Sequence, residues 1–341
     1  MAIDRHIRAL LLCTLTVLLM WGCSRAISPI PQVSQLSAQC QQIKHDAGVT
    51  QLCTRPRRIA VLSPYLLDLL LALGEQPIAY AGVAAGRDKF DRPTEQIPYL
   101  GRYVTTQPSN LGNRHNPSLE ALVLSKPDLI LGERWQGVQG QYELLSKIAP
   151  TVLVDDQQGG WQRSLQTVAK VLDRSITLQQ VMTARQERVM QARQQLATLT
   201  KARPDALLLS SGDLASGFYL YGQERDVYSD LLEALGFRIV RLAKFSQENV
   251  NATLLSLEAL PQIKADLLIV IGWDKRDATN RPLDWRRLQQ EWNQIPVLKV
   301  LPVAQAGKVY FMDAYMTMVR GPLAEEHILK DLLQQLAIAN E

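Results

Sequence analysis

The chain has 341 residues, of which 47% are hydrophobic and 21% are charged, proportions that are typical of globular proteins. A chain of this length is long for one hydrophobic core and sufficient to form two. The formal net charge is only +4, and lysine and arginine are interspersed with acidic residues, so the sequence argues against nucleic-acid binding. Only four histidines are present, and we predict no metal-ligating residues.

The N-terminus predicts a signal peptide of the lipoprotein type at 1–22. After a short basic start, the run "ALLLCTLTVLLMW" (9–21) is apolar but shorter than the about 20 residues that a membrane-spanning helix needs. The dipeptide Gly22-Cys23 resembles a bacterial lipobox, in which the cysteine is lipidated, although Met20-Trp21 departs from that motif. A secreted protein without lipid and an uncleaved anchor stay open as alternatives.

Residues 23–56 are predicted to be a tether and an N-terminal segment, of which the polar stretch 24–39 is flexible. Cys40 and Cys53 are the two cysteines that remain beyond the signal peptide and the lipobox. An even pair in an exported protein predicts a disulfide, which would stabilise the fold by roughly 3 kcal/mol in the chain-entropy model. Two free thiols are the alternative.

The first globular region, 57–158, alternates predicted strands and helices. "RRIAVLSP" predicts a strand that stops at a turn, "YLLDLLLALG" a helix with a C-terminal glycine, and "PIAYAGVA" a second strand. Next come the helix "PSLEALVLSK", the strand "PDLILG", the helix "QYELLSKIAP" and the strand "TVLVDD". This alternation predicts an α/β lobe with a parallel sheet.

The stretch 159–202 differs in character, because 161–199 contains no proline or glycine and its apolar residues keep near-helical spacing. Heptads are not sustained, which disfavours an isolated coiled coil. We predict a linking helix between two domains, either continuous or broken into a pair at "LDRSIT" (172–177).

Alternation resumes in 203–341. The predicted elements are the strand "ALLLSS", the helix "VYSDLLEALG", the strand "FRIVRL", the helix "LLSLEALPQIK" and the strand "ADLLIVIG", then the helix "WRRLQQEWNQI", the strand "GKVYFM" and the closing helix "PLAEEHILKDLLQQLA". The predicted fold is therefore α/β, with two three-layer lobes that have parallel-rich sheets and are bridged by one long backbone helix.

One phrase occurs twice, as "SLEALVLSKPDLI" at 118–130 and "SLEALPQIKADLL" at 256–268. In each half it is predicted to form the helix and strand of the same step, and in the first half Ser118 stands at the helix N-cap. Matched copies in two domains indicate a duplicated, bilobal architecture. Such proteins usually bind their ligand between the lobes, at the C-terminal ends of the strands.

No motif of a nucleotide-binding protein, a zinc protease or a serine hydrolase is present, so we do not expect an enzyme. Arginine and aromatic residues instead follow the predicted strands. Arginine suits carboxylates and other anionic oxygens, and aromatic rings supply flat walls. Each could singly be a solvated or core residue, but their concentration favours a cleft for an anion or chelate. They are Arg87, Arg102, Tyr103, Arg134, Trp135, Tyr219, Tyr221, Arg225, Trp273, Tyr315 and Arg320.

Several motifs together resemble the iron-siderophore substrate-binding proteins of ABC importers, relatives of the ferric-citrate-, ferrichrome- and vitamin-B12-binding proteins. They are "CQQIKHDAGVTQLCTRPRRIAVLSPYLLDLLLALGEQPIA", "YLGRY", "SLEALVLSKPDLILG", "ELLSKIAPTV", "ADLLIVIG" and "IPVLKVLPVAQAGKVYFMD". The resemblance covers most of 40–341. It implies two α/β lobes spanned by a long helix, and a ligand held in a shallow cleft with little lobe closure.

The resemblance also implies roles for individual residues. Glu120 and Glu258 match the glutamates that dock onto arginines of the membrane permease, although each could merely favour the start of its helix. The histidine and tyrosine iron ligands of some members have no evident match, so we expect recognition of a complete anionic ferric chelate. The expected ligand-binding residues are Arg102, Arg134, Trp135, Trp273 and Tyr315, with Arg87 and Arg225 as further candidates.

The sequence thus predicts a monomeric periplasmic protein, lipid-anchored to the membrane at Cys23 or else secreted into the periplasm. It would deliver a ferric siderophore or ferric citrate to an ABC importer permease, without a cofactor. A corrinoid or haem carrier of the same fold, an enzyme on a doubly wound scaffold, and a lipoprotein that has lost ligand binding are the alternatives.

Overall fold

A computed structural model describes residues 40–82, 89–155, 160–222, 224–242, 254–272 and 285–338. The predicted signal peptide, Cys23 and the tether 24–39 lie outside the described residues, as do Arg87 and Trp273. Among the described residues, no helix is both long and apolar enough to cross a membrane.

The N-terminal lobe is built on a five-stranded parallel sheet with the order β5-β4-β3-β6-β7. Apart from β5, its strands are short and largely apolar because both faces of the sheet are covered. The strands are β3 (Ile59–Val61), β4 (Pro77–Gly82), β5 (Ser109–Asn113), β6 (Leu129–Glu133) and β7 (Thr151–Val154), and the helices are α1 (Pro64–Ala72), α2 (Pro93–Gln96), α3 (Leu119–Ser125) and α4 (Gln141–Ile148).

A β-hairpin precedes this sheet and was not predicted as such. Its strands β1 (Gln41–His45) and β2 (Gly48–Leu52) pair antiparallel, and the disulfide between Cys40 and Cys53 closes its open end. The predicted disulfide is therefore confirmed. The hairpin packs against β7, where the amide of Asp46 donates to the carbonyl of Leu153 at 3.0 Å.

Two helices, not one, occupy the predicted linking segment. α5 (Gly160–Leu172) and the 28-residue α6 (Ser175–Ala202) are separated at Asp173, which adopts φ +53°. A non-glycine residue in this left-handed region interrupts the right-handed helix. Of the two predicted alternatives, the structure agrees with a pair of helices broken at "LDRSIT". The longer of the two, α6, is the long backbone helix.

The C-terminal lobe contains a six-stranded mixed sheet. Its main order is β11-β9-β8-β12-β13, with β10 beside β8. Only β9 runs antiparallel to β8 and β11, and the other pairs are parallel. The strands are β8 (Asp205–Ser211), β9 (Phe218–Tyr221), β10 (Arg238–Ile239), β11 (Leu254–Leu255), β12 (Leu267–Gly272) and β13 (Val309–Asp313), and the helices are α7 (Val227–Leu235), α8 (Trp285–Trp292), α9 (Pro296–Lys299), α10 (Pro302–Gln305), α11 (Met316–Val319) and α12 (Pro322–Ile338).

One continuous hydrophobic core joins the two lobes. Alternate strand residues face it, such as Val61 of β3 and Leu208 of β8, while their neighbours Leu62 and Leu207 face separate outer clusters. Helices α1, α5, α7 and α12 contribute to the shared core. Because the lobes share buried apolar surface, moving them apart would expose it to water, which is unfavourable.

The repeated phrase occupies matching positions, since β6 lies between β3 and β7 as β12 lies between β8 and β13. Its aspartates make the same contacts. Asp128 donates its amide to the carbonyl of Arg58 and accepts the Arg58 amide on its side chain, and Asp266 exchanges the same pair of bonds with Asp205. Each aspartate therefore joins the start of its own strand to the start of the lobe's first central strand.

The second copy of the phrase corrects one prediction. The segment Leu257–Gln262 is a 3-10 helix with Pro261 inside it, whereas the sequence predicted an α-helix across 254–264. Proline has no amide hydrogen to donate and its ring clashes with the preceding turn of an α-helix. The residues before it form strand β11 instead.

Candidate ligand-binding site

A cavity of about 540 Å³ opens at the C-terminal edge of the N-terminal sheet. β5, β6 and β7 end here, and a segment that follows β13 closes the cavity from the C-terminal lobe. The cavity is therefore built by both lobes, at the edge where ligands of open α/β sheets usually bind. It is lined by Arg114, His115, Glu133, Arg134, Trp135, Val138, Val154, Asp155 and Arg320.

Gln136 holds the strand ends of this site together. It lies on the 3-10 helix Arg134–Gly137 directly after β6, and its side-chain oxygen accepts the amide of Glu133 at 2.8 Å. The side-chain nitrogen donates to the carbonyls of Leu62 and Arg114, each at 2.8 Å. One buried side chain thus sets the relative positions of β3, β5 and β6 where they meet the cavity.

Glu133 is the buried carboxylate of the site, with 3% of its surface exposed. Its Oε2 accepts from Nε1 of Trp135 at 2.9 Å and from Nη2 of Arg320, and Nη1 of Arg114 lies 3.6 Å from its Oε1. Burial alone would raise the pKa of Glu133, but Arg320 and hydrogen bonds from Trp135 and Ser63 hold it below its ordinary value. Glu133 is therefore charged at neutral pH.

Two arginines from different lobes converge on Glu133, and each also lies against an aromatic ring. The guanidinium of Arg114 is 5.6 Å from the centre of the Trp135 ring, and that of Arg320 is 4.8 Å from the centre of the Tyr65 ring. Such stacking fixes the planes of the guanidinium groups. Burial lowers the pKa of Arg114, while the charge of Glu133 opposes this effect.

Of the predicted ligand-binding residues, Arg134 and Trp135 line the cavity. Nη1 of Arg134 is 3.2 Å from Oδ2 of Asp155, which also lines it. The indole of Trp135 stacks near the imidazole of His115, with ring centres 5.0 Å apart. Trp135 also borders a second cavity of about 340 Å³ on the N-terminal lobe, so it forms a wall between the two spaces.

Three other predicted residues lie elsewhere in the described part of the chain. Tyr315 is buried between the lobes, stacked 5.7 Å from the ring of Tyr99. Arg102 is exposed and donates to the carbonyl of Tyr99 at 3.2 Å. Arg225 is also exposed and pairs with Asp230 at 2.9 Å. None of the three lines the 540 Å³ cavity as the described residues form it.

The sequence placed Arg320 among the arginine and aromatic residues that favour a cleft, but not among the expected ligand-binding residues, and it did not indicate Arg114, His115 or Glu133. Arg114 and His115 follow β5, whose sequence "SNLGN" has none of the β-branched residues that mark a strand. Glu133 directly follows the predicted strand "PDLILG", and Arg320 follows the predicted strand "GKVYFM" by eight residues, so both positions were visible. Their pairing across the lobes was not, because it depends on tertiary contact.

The described residues include no group of three or more His, Cys, Asp or Glu side chains that could hold a metal ion. The polar side chains of the cavity are mainly guanidinium groups and the carboxylates that pair with them. This combination is suited to anionic oxygens of a ligand.

Fold and site together describe a two-lobed α/β binding protein with a cationic and aromatic cavity between its lobes. Residues 59–316 match the family described as periplasmic binding protein, and the chain belongs to that family.

Two relatives are similar to the chain along most of its length. It is 25% identical over 340 residues to the probable siderophore-binding lipoprotein YfiY of Bacillus subtilis (strain 168), a match that covers 96% of this chain and 97% of the relative. It is 26% identical over 295 residues to the Fe(3+) dicitrate-binding periplasmic protein FecB of Escherichia coli (strain K12), covering 86% of this chain and 89% of FecB.

A solved structure has the same fold. Staphylococcus aureus SirA, in complex with staphyloferrin B, superposes with a TM-score of 0.68 at 22% sequence identity, over 87% of this chain and 98% of SirA. The predicted fold class and family resemblance are confirmed.

Proposed function

We propose that this chain is the substrate-binding lipoprotein of an ABC importer, and that it captures a ferric chelate, a siderophore or ferric citrate, between its lobes. The observation that carries the proposal is the convergence of Arg114 and Arg320 on Glu133 beside a 540 Å³ cavity. YfiY and FecB, named as a probable siderophore-binding lipoprotein and an Fe(3+) dicitrate-binding protein, are similar to most of this chain and support the class of ligand.

In this proposal the cavity recognises the outside of the chelate. Arg114, Arg320 and Arg134 donate to carboxylate or other anionic oxygens at the surface of the chelator, and Trp135 provides a flat wall. The iron keeps the ligands of its chelator. Glu133 stabilises the two converging guanidinium groups before the ligand arrives, so less side-chain entropy is lost on binding.

The remaining predicted contacts are part of the proposal as well. Arg102 and Arg225 are exposed side chains, and a large ligand would contact them while a small one would not. Tyr315 is buried between the lobes and stabilises the contact between them. Arg87 and Trp273 are proposed to complete the site from outside the described residues. Arg102→Ala is expected to weaken the binding of an anionic chelate, and unchanged affinity would remove this residue from the site.

Titration of the purified protein, followed by tryptophan fluorescence, tests the ligand class. Ferric citrate and a ferric hydroxamate chelate are expected to quench the fluorescence saturably, and cobalamin and haemin are not. Saturable binding of cobalamin or haemin alone would indicate a corrinoid or haem carrier. Failure of all four to bind would favour a lipoprotein that has lost ligand binding, and would contradict the proposal.

A matched pair of variants tests the site. Arg114→Gln removes one guanidinium from the cavity and is expected to weaken the bound chelate about 10- to 100-fold, the usual cost of losing a hydrogen bond to a charged group. Arg238→Gln is the control. Arg238 is exposed and pairs with Asp205 at the N-terminal end of β8, and neither residue lines the cavity. Equal affinities for the two variants would contradict the role of Arg114.

Membrane attachment and delivery are the other half of the proposal. The protein would be monomeric, without catalytic activity, and anchored through lipid on Cys23 at the outer side of the cytoplasmic membrane. Glu120 and Glu258, both exposed, would contact arginines of the permease. Cys23→Ser is expected to release the protein from membranes, and metabolic labelling with a radioactive fatty acid would detect the lipid directly.

A further inference from the structure

The disulfide-closed hairpin reaches the ligand cavity through the residue at its turn. Asp46 lies between β1 and β2, and its Oδ2 accepts the amide of Asp155 at 2.8 Å. Its Oδ1 accepts from Nη2 of Arg163 on α5 at 2.6 Å. Its own amide donates to the carbonyl of Leu153 at 3.0 Å. Asp46 therefore ties the hairpin both to the end of β7 and to α5.

The segment that Asp46 holds is part of the cavity wall. Val154 and Asp155 both line the 540 Å³ cavity, and Asp155 pairs with Arg134 at 3.2 Å. A continuous path of contacts thus runs from the hairpin turn through the Asp155 backbone to an arginine of the site. Asp155 directly follows the last residue of β7, and its carbonyl also accepts from Oγ of Ser164 on α5 at 3.3 Å.

The body of the hairpin is fastened along the same strand. The hydroxyl of Thr50 donates to the carbonyl of Thr151, and it lies 3.1 Å from the hydroxyl of Tyr142 and 2.9 Å from Nε2 of His45. Two five-residue strands alone would be marginally stable. The disulfide at the open end and the contacts with β7 supply the missing restraint.

We propose that Asp46 is a positioning residue of the ligand site, and that the disulfide-closed hairpin is a brace that fixes Asp155 and Arg134 at the cavity. The ligand part of this inference rests on the proposed function. The brace keeps the Asp155 backbone in one place, so that Arg134 is already oriented when a ligand enters.

Four variants, one of them a control, test the brace through ligand affinity, with ferric citrate as the probe. Asp46→Ala is expected to weaken binding about three- to tenfold, the cost of ordering one or two loosened side chains on binding. Asp46→Asn retains an oxygen that can accept the Asp155 amide and is expected to stay within about twofold of the unmodified protein. Lys44→Ala changes an exposed side chain of β1 and is the control. Cys40→Ser/Cys53→Ser should resemble Asp46→Ala.

Affinities are compared at a temperature at which thermal melts show every variant folded. Unchanged affinity of a folded Asp46→Ala variant would overturn the inference. So would an asparagine variant as weak as the alanine variant, because the acceptor for the Asp155 amide is then still present.

Hydrogen exchange of the Asp155 amide tests the brace without any ligand. Exchange is expected to be at least tenfold faster in Asp46→Ala than in Asp46→Asn or Lys44→Ala, since the amide has lost its acceptor. Equal exchange rates would overturn the inference. If the unmodified protein binds no ferric chelate, the proposed function fails, while the exchange measurement still decides whether Asp46 holds Asp155.

Discussion

Arg320, which follows the last strand of the C-terminal lobe, donates to Glu133 at the end of a strand of the N-terminal lobe. The two side chains are 20% and 4% exposed, so the ion pair is largely removed from water. It joins the lobes at the wall of the ligand cavity. This ion pair is therefore expected to affect both the stability of the protein and the orientation of Arg320 in the ligand site.

Breaking this pair from one side should cost more than removing both charges. Arg320→Met is expected to lower the free energy of unfolding by about 3 kcal/mol, because Glu133 keeps its buried charge with Arg114 as its one cationic partner among the described residues. Adding Glu133→Gln removes that charge and keeps an acceptor for Trp135, so the double variant should be more stable than Arg320→Met. Urea unfolding of the two single variants and the double variant measures the difference. Strictly additive costs would contradict the coupling.

A second buried carboxylate predicts a pH dependence of stability. Asp68 on α1 accepts the amides of Leu323 and Ala324 at 3.0 and 2.9 Å, capping α12. Burial raises the pKa of Asp68 from 3.8 to about 7, against the lowering effect of these two hydrogen bonds. Between these two values the folded protein binds more protons at this site than the unfolded chain does. The contribution of Asp68 to stability therefore declines as pH rises from about 4 to about 7.

Asp68→Asn removes this titration. Relative to the variant, the unmodified protein should lose stability between pH 4 and pH 7, by about 1.4 kcal/mol per pH unit at most, and the difference should level off above pH 7. Urea unfolding of both proteins at pH 5, 6, 7 and 8 gives the two curves. Parallel curves would show that Asp68 does not titrate in this range.

The close approach of Asp68 and α12 depends on Gly321. A Cβ atom at this position would lie 2.4 Å from Cγ of Asp68, which is possible only if one of the two segments shifts. Gly321→Ala is expected to destabilise the protein by about 1–3 kcal/mol through overpacking. Gly212→Ala is the control, because nothing lies within 4 Å of the added atom. Similar melting temperatures for the two variants would contradict the prediction.

The two aspartates of the repeated phrase should contribute equally to the stability of the protein. Asp128→Ala and Asp266→Ala each leave backbone amides without their acceptor at the start of the first central strand of a lobe. Each is expected to lower the free energy of unfolding by about 1–3 kcal/mol. Urea unfolding measures both. If only one of the two variants lost stability, the two aspartates would contribute unequally although they make the same hydrogen bonds.

The two glutamates of the same phrase test the docking proposal. Glu120→Arg combined with Glu258→Arg should leave the affinity for ferric chelate unchanged, because both side chains are exposed and neither lines the cavity. Uptake of radioactive ferric chelate by cells that carry only this protein should be lost. Glu143→Arg, on the exposed face of α4, is the control. Normal uptake by the double variant would contradict docking through these residues.

The two copies of the repeated phrase show which elements could be predicted from local sequence. Its first copy predicted helix α3 and strand β6, because apolar spacing and the N-cap serine act within a few residues, and the hydroxyl of Ser118 does accept the amide of Ala121. The second copy was wrong in one detail, since Pro261 turned the predicted helix into a 3-10 turn. Strand β5 was missed because its glycine- and asparagine-rich sequence gains strand structure only by pairing with β4.

Two α/β lobes, a helical link, the disulfide pair and the family could be predicted from local sequence, because they depend on hydrophobic periodicity, on cysteine count and on motifs that neighbouring residues define. Tertiary structure alone decided which arginines share a site. Arg114 and Arg320 are far apart in the chain and meet at Glu133 only because a shared core holds the lobes together. Contacts of this kind leave no periodic trace in either segment, since Arg114 and Glu133 lie at the ends of different strands and Arg320 lies on the other lobe.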